Sequence, residues 1–278
     1  MESINKDLKI DVGAVLASKS STLAKYTPKF VIGWLKKIIH QDELNQILSA
    51  SNGSVDVEFA DKVLLWLNAK SNVKFISRES LNPNGRYIFV SNHPLGGLDG
   101  LTLISLLGNM FGNIKFVVND ILMNIIPMRN LFVPVNKHGR MGKEYGERIH
   151  NAYASDAQIL YFPAGLCSRL IDGEITDLKW HRNFLKQAKK YNRDIVPIYF
   201  GGQNSKFFYR LAKIRKALGI KFNFEMIFLP DEMFRQKNSI FEVTIGKPIP
   251  ISQIDSSKTL DQWCAEIRKK CYELKPEK

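Results

Sequence analysis

In Tyr87-Ile88-Phe89-Val90-Ser91-Asn92-His93-Pro94-Leu95-Gly96-Gly97-Leu98-Asp99-Gly100, an apolar β-forming run gives way to a glycine-rich turn carrying a histidine and an aspartate. The run shows no polar alternation, the pattern of a strand buried on both faces, as in a parallel sheet. A histidine directly after such a strand stands at the carboxyl edge of the sheet, where open α/β sheets bind their ligands. Gly96 and Gly97 let the chain turn back, so that Asp99, at the start of the next helix, reaches the imidazole. A carboxylate accepting from Nδ1–H fixes the tautomer and leaves Nε2 free as a base. A neutral imidazole near its ordinary pKa suits proton abstraction near pH 7. A plainer arrangement stays open, with Asp99 as a helix N-cap and His93 hydrogen-bonded at a strand end.

Strand and helix patterns alternate from about residue 73 onward. Strands are expected at 73–76, 87–90, 114–118, 131–135, 158–162, 195–200, 222–229 and 240–245. Helices are expected at 101–107, 142–154, 179–191 and 260–272, the last with Leu260, Trp263, Ile267 and Cys271 on one side. That alternation predicts an α/β fold, a mostly parallel sheet flanked by helices. Residues 1–70 are expected to be helical: Phe30, Val31, Trp34, Leu35, Ile38 and Ile39 recur at helical spacing behind Pro28, and a second helix is expected at 55–68. The chain is thus expected to divide into an N-terminal helical segment at 1–70, with membrane contact, and an α/β domain at 71–278.

The 278 residues are 45% hydrophobic, which supports a sizeable core and excludes a globally disordered chain. A formal charge of +13 points to an anionic partner. Cys167, Cys264 and Cys271 are odd in number and lack ligand spacing, which suits free thiols in a reducing compartment. His138, His150 and His181 show no ligand spacing with one another, so no metal site is expected. No signal peptide is visible at the start. The longest stretch free of Asp, Glu, Lys, Arg and His, Gly100 to Ile114, is shorter than the roughly 20 residues that span a bilayer. The expectation is a cytoplasmic protein, peripheral on the inner face of the cell membrane.

Two further clusters carry chemistry. Phe162-Pro163-Ala164-Gly165-Leu166-Cys167-Ser168-Arg169 follows another apolar strand. Its turn exposes backbone N–H groups beside a fixed cation, a combination that holds a phosphate, a carboxylate or a developing oxyanion; an ordinary turn with a solvated Arg169 is the alternative. Lys137 and Arg140 lie in a basic turn after the 131–135 strand, placed to bind an acidic head group or simply to be solvated. No Gly-x-Ser-x-Gly elbow and no positioned Cys nucleophile accompany the His93–Asp99 pair. Direct attack by a substrate hydroxyl on an activated acyl group is then the simplest chemistry, and a thioester is a suitable donor.

Together these segments resemble the glycerolipid acyltransferase superfamily, the lysophosphatidic-acid-acyltransferase-like enzymes, in a form like its bacterial hemolysin-like branch. Asn92-His93 with Asp99 is similar to the family's first motif, Leu131 to Lys137 to its second, Phe162 to Ser168 to its third, and Val196-Pro197-Ile198 to its fourth. The resemblance covers roughly residues 73 to 250. It implies His93 as the base, Asp99 as its orienter, acyl-ACP or acyl-CoA as co-substrate with no further cofactor, and Asn92, Lys137, Arg140, Phe162, Pro163, Gly165, Ser168 and Arg169 around the acceptor or oxyanion. The sequence departs from the family in having five residues between His93 and Asp99 where four are usual, in Ala164 where the family has Glu, and in Cys167 where it has Arg. The latter two positions are implicated in binding glycerol phosphate, so the resemblance leaves room for a lyso-aminolipid acceptor as well as lysophosphatidic acid.

A lipid acceptor requires contact with a membrane. Residues 1–40 hold seven Lys against three Asp or Glu, and Lys206 to Lys216 interleaves aromatics with five Lys or Arg, as interfacial helices do. Trp34, Phe207, Phe208 and Leu211 are the expected contacts with an anionic membrane surface, packing within the protein being the alternative. No helix-turn-helix, RNP or zinc pattern supports a nucleic-acid partner. The rival functions are a basic membrane-binding protein without catalysis, and a thioesterase or lipase in which water replaces the acceptor.

Overall fold

The computed structural model of the chain describes residues 8–19, 26–135 and 143–277. Its strands are β1 (Lys70–Phe75), β2 (Tyr87–Ser91), β3 (Ile114–Asn119), β4 (Phe132–Val135), β5 (Gln158–Tyr161), β6 (Arg169–Ile171), β7 (Glu174–Thr176), β8 (Asp194–Phe200) and β9 (Ile240–Ile245). Seven of them form one sheet in the order β1-β9-β8-β2-β5-β3-β4, while β6 and β7 make a separate hairpin. Every neighbouring pair in the large sheet is parallel except β8 with β9. The helices are α1 (Val12–Lys19), α2 (Lys29–Ile38), α3 (Gln41–Ala50), α4 (Asp56–Leu67), α5 (Leu98–Phe111), α6 (Lys143–Ala154), α7 (Asn183–Tyr191), α8 (Lys206–Ala217), α9 (Leu229–Arg235) and α10 (Leu260–Glu273). This is the mostly parallel, helix-flanked sheet expected from the sequence.

The unbroken apolar run of β2 has a direct cause: the strand lies between β8 and β5, and all five of its residues are buried. On one face Ile88, Val90, Ile159 and Ile195 pack with Tyr153 of α6, Phe184 and Leu185 of α7, and Trp263 and Ile267 of α10. On the other, Phe89 meets Phe111 of α5, with ring centroids 5.5 Å apart. Each such buried side chain contributes about 1.5–3 kcal/mol, so a few of them offset the burial of one hydrogen-bonded polar group. Arg193 is the largest fully buried side chain. Its guanidinium donates to the carbonyls of Tyr153 (2.9 Å), Ala157 (2.7 Å) and Ser155, and so caps the end of α6 with positive charge.

The chain packs into two compact units. One holds the sheet and comprises residues 55–61, 70–203 and 240–278. The other is not the continuous 1–70 segment expected from the sequence: residues 62–69 and 204–239 join the described residues up to 54. Within this second unit Phe228 takes the edges of Trp34 (6.2 Å) and Phe207 (5.1 Å), and His40 stacks on Phe234 (4.5 Å) while Asp231 meets its Nε2 at 2.9 Å. Those long-range contacts recruit α8 and α9, and no local periodicity reveals them.

The strand expected at 222–229 is absent, a correction. Phe224–Phe228 is a 3-10 turn that runs into α9, with Pro230 in the first helical turn, where its fixed φ is tolerated. Glu225 is buried in an ion pair with Arg215 of α8 (2.8 Å), a contact that ties the turn to that helix. Among the described residues, no helix is long and apolar enough to cross a membrane.

Candidate active site

β2 and β5 are adjacent and parallel, with Val90 opposite Tyr161, so the loops that follow them leave the sheet at the same edge. Two sequence segments far apart in the chain meet there. The ring of Phe162 stacks on the ring of His93, with centroids 4.1 Å apart and planes 18° from parallel.

Asp99 lies in the first turn of α5 and is fully buried. Its Oδ2 accepts from His93 Nδ1 (2.9 Å), from Leu95 N–H (2.9 Å) and from Gly96 N–H (3.3 Å), and its Oδ1 accepts from Gly100 N–H (2.9 Å). The N-cap position belongs to Gly97, so Asp99 is not the cap; its side chain reaches back across the turn. Gly96, at φ +80°, takes the left-handed conformation that this reversal needs. A carboxylate surrounded by N–H donors is held ionised, so the ring nitrogen facing it carries the proton. Among the described residues Nε2 has no hydrogen-bond partner, and the imidazole keeps 15% of its surface exposed.

The electrostatics follow from these contacts. Burial by itself pushes the His93 pKa down; the Asp99 charge and hydrogen bond, with the Asp177 charge, outweigh it and hold the pKa above the ordinary imidazole value, against an opposing effect of Arg169. For Asp99, burial pushes upward, but His93 and the backbone donors prevail and hold the carboxyl below its ordinary value.

The structure separates the remaining expected residues. Asn92 is buried and engaged within the sheet: its amide donates to Phe200 C=O (2.9 Å) and accepts from Phe200 N–H (2.7 Å), extending the β2–β8 pairing past the end of the strand. Ser168 is likewise turned inward. Its hydroxyl donates to Asp177 (2.5 Å) and its N–H to His93 C=O (2.7 Å). Pro163 is buried and its carbonyl accepts from His181 N–H. Gly165 is exposed at the turn, with φ +64°. Arg169 folds back rather than projecting outward, donating to Cys167 C=O (2.7 Å) and approaching Cys167 Sγ at 3.0 Å. Lys137 and Arg140 lie outside the described residues. In the helical unit Trp34 and Phe207 are exposed and Leu211 is half-buried, but Phe208 is 0% exposed and belongs to the core, which corrects its expected place at a membrane surface.

Sequence reasoning missed Asp177 and Trp180. Asp177 accepts from Ser168, from His93 N–H (3.1 Å) and from Trp180 Nε1–H (2.8 Å). Asp172-Gly173, both at positive φ, turn the β6–β7 hairpin that delivers Asp177, and the Asp-Gly pair is a turn signal present in the sequence.

Fold and site together define the α/β acyltransferase class, with a histidine motif at the carboxyl edge of a mostly parallel sheet. A sequence profile described as acyltransferase matches residues 14–277, and the chain belongs to that family, within the glycerolipid acyltransferase superfamily. It is 47% identical over 266 residues to a lyso-glycine lipid O-acyltransferase from Bacteroides thetaiotaomicron, spanning 95% of this chain and 97% of that protein. A protein of the same name from Phocaeicola vulgatus is 45% identical, over 95% of each chain. The crystal structure of the 1-acyl-sn-glycerophosphate acyltransferase PlsC from Thermotoga maritima matches over 90% of each chain with a TM-score of 0.48 and 17% identity.

Proposed function

We propose that this protein is a lyso-lipid O-acyltransferase of membrane lipid biosynthesis that transfers a fatty acyl group from acyl-ACP or acyl-CoA to the hydroxyl of a lyso-glycine lipid. The observation that carries the reading is the Asp99-held imidazole, its side chain 15% exposed and its Nε2 without a hydrogen-bond partner among the described residues. The acceptor hydroxyl gives its proton to Nε2 as its oxygen bonds to the thioester carbonyl carbon. The tetrahedral adduct collapses, the C–S bond breaks, and the imidazolium returns the proton to the departing thiolate, leaving an ester and a free thiol. Asp99 stabilises the transient imidazolium, and Phe162 limits tilting of the ring by covering one face.

The acceptor class rests on two things. The similar proteins from two bacteria are named for a lyso-glycine lipid. In this chain, Ala164 and the wholly buried Cys167 occupy positions where the glycerol-phosphate pattern has Glu and Arg. Approach to a bilayer falls to the helical unit, where Phe30 (77% exposed), Trp34, Phe207 and Phe222 are unburied beside Lys29, Lys36, Lys206 and Arg210. Aromatics with a basic rim suit an anionic cytoplasmic leaflet, each basic residue contributing about 1 kcal/mol. On this reading the protein is peripheral to that leaflet, and a Trp34→Ala/Phe207→Ala double variant sediments less with phosphatidylglycerol-containing vesicles than the parent chain.

Purified protein with acyl-ACP or acyl-CoA and a lyso-glycine lipid should yield the diacylated lipid by mass spectrometry. His93→Ala should abolish that product while the protein stays folded, as read by circular dichroism. Product formation by that variant refutes the base assignment. Free fatty acid in place of the acylated lipid shows a thioesterase instead.

A further inference from the structure

We infer that Asp177 is a positioning residue for His93, fixing the main chain of the base as Asp99 fixes its ring. This rests on the proposed role of His93 and extends it to a second carboxylate. Asp177 Oδ1 accepts from His93 N–H (3.1 Å) and from the Ser168 hydroxyl (2.5 Å), while Ser168 N–H donates to His93 C=O (2.7 Å). Both main-chain polar groups of His93 are thus held by one closed ring of hydrogen bonds. The other oxygen, Oδ2, accepts from Trp180 Nε1–H (2.8 Å).

Asp177 is itself anchored by α10. Its N–H donates to Tyr272 Oη (2.7 Å), and its C=O accepts from Arg268 (3.1 Å), which also donates to Thr176 Oγ1 (2.6 Å). The C-terminal helix therefore holds the clamp, and the clamp holds the base. His93 has little freedom to shift along β2, and the direction of Nε2 is set from both the backbone and the ring. Displacing a reacting group by about 1 Å costs about a hundredfold in rate, so such a clamp has kinetic value.

The three donors that meet the Asp177 carboxylate, His93 N–H, the Ser168 hydroxyl and Trp180 Nε1–H, suit an ionised, acceptor-only group and counter the burial that raises its pKa above the ordinary carboxylate value. An uncharged Asn offers one oxygen to the same N–H and O–H but sets an NH₂ against Trp180 Nε1–H. The charge also acts on the base: His93 feels Asp99 and Asp177 as negative groups and Arg169 as a positive one. Removing the Asp177 charge makes the imidazolium less favourable, so the acidic limb of the pH–rate profile moves to lower pH.

The test is steady-state acyl transfer with acyl-ACP and a lyso-glycine lipid for Asp177→Asn, Ser168→Ala and His93→Ala. For Asp177→Asn, kcat should fall about ten- to a hundredfold, KM for acyl-ACP should change less than about twofold, and the acidic limb should move down in pH. Ser168→Ala keeps the charge, so the limb should stay in place while kcat falls several-fold. An Asp177→Asn protein with parental kcat and an unmoved limb overturns the inference, whatever happens to its melting temperature. Should that variant fail to fold, Ser168→Ala decides, and parental kcat there overturns it. The two levels separate cleanly: transfer by His93→Ala ends the base reading, whereas an inactive His93→Ala beside a fully active Asp177→Asn ends only the positioning role.

Discussion

Replacing Asp99 by asparagine keeps the shape of the side chain and removes its charge and one of its two acceptors. Four donors converge on this residue: His93 Nδ1, Leu95 N–H and Gly96 N–H on one oxygen, Gly100 N–H on the other. If the amide oxygen takes the first place, the NH₂ confronts Gly100. The His93 hydrogen bond survives but is no longer charge-assisted. Such a bond contributes about 1.5–3 kcal/mol, which at ~1.4 kcal/mol per decade is about a ten- to hundred-and-fiftyfold loss of kcat. If the NH₂ takes the first place instead, Nδ1 becomes the acceptor and the ring proton moves to Nε2. That is the wrong tautomer for a base, with a loss approaching ~10⁴-fold. The penalty for one mismatched buried N–H is about 1–3 kcal/mol, or roughly 2–12 °C in Tm at about 2–4 °C per kcal/mol. Asp99→Asn should therefore lower kcat at least about tenfold with only a moderate loss of stability, as read by thiol release and by differential scanning fluorimetry. Near-parental kcat with a large fall in Tm would refute the reasoning and leave Asp99 a structural residue of the turn.

With His93 as the proposed base, activity needs the neutral imidazole; its pKa lies above the ordinary value, so kcat/KM should rise with pH through a limb above about 6.5. Stability runs the opposite way: the imidazolium contribution is fully present below the unfolded value and is lost as pH rises through the folded one, so Tm should decline where activity grows. A limb below about 6.5 contradicts this. Arg193→Met leaves the carbonyls of Tyr153, Ser155 and Ala157 without their buried donor and should cost about 3 kcal/mol or more. Scanning fluorimetry would then show a fall of roughly 6–12 °C, with kcat of the folded enzyme unchanged. Gly108→Ala places a Cβ 2.4 Å from Val57 Cγ2 and should destabilise by about 1–3 kcal/mol. Adding Val57→Ala should recover part of that loss in urea titrations, and a purely additive double variant would argue against the contact.

What the sequence made legible, and what it did not, divides along the distinction between local and non-local structure. The bilaterally buried β2, the His93–Asp99 reach and the Phe162 turn all lie within short windows, where spacing translates directly into geometry. The roles of Asn92 and Ser168 do not. A polar residue at a strand end either faces a ligand or completes the backbone pairing of a neighbour, and the neighbour of Asn92 is Phe200 of β8, fixed only by sheet order. Phe207 and Phe208 show the same limit on a smaller scale: adjacent helical positions point about 100° apart, so one is exposed and the other core, and an aromatic pair does not say which. Asp177 is the instructive case. Its Asp172-Gly173 turn signal was present, but strands of three residues on either side carry too little alternation to announce a hairpin. Groups that meet a substrate can sit in one contiguous motif because they need only share a loop. Groups that hold those motifs still must come from elsewhere in the chain, since rigidity is supplied by elements that pack from outside the loop, and here they arrive on a hairpin, on β8 and on α10.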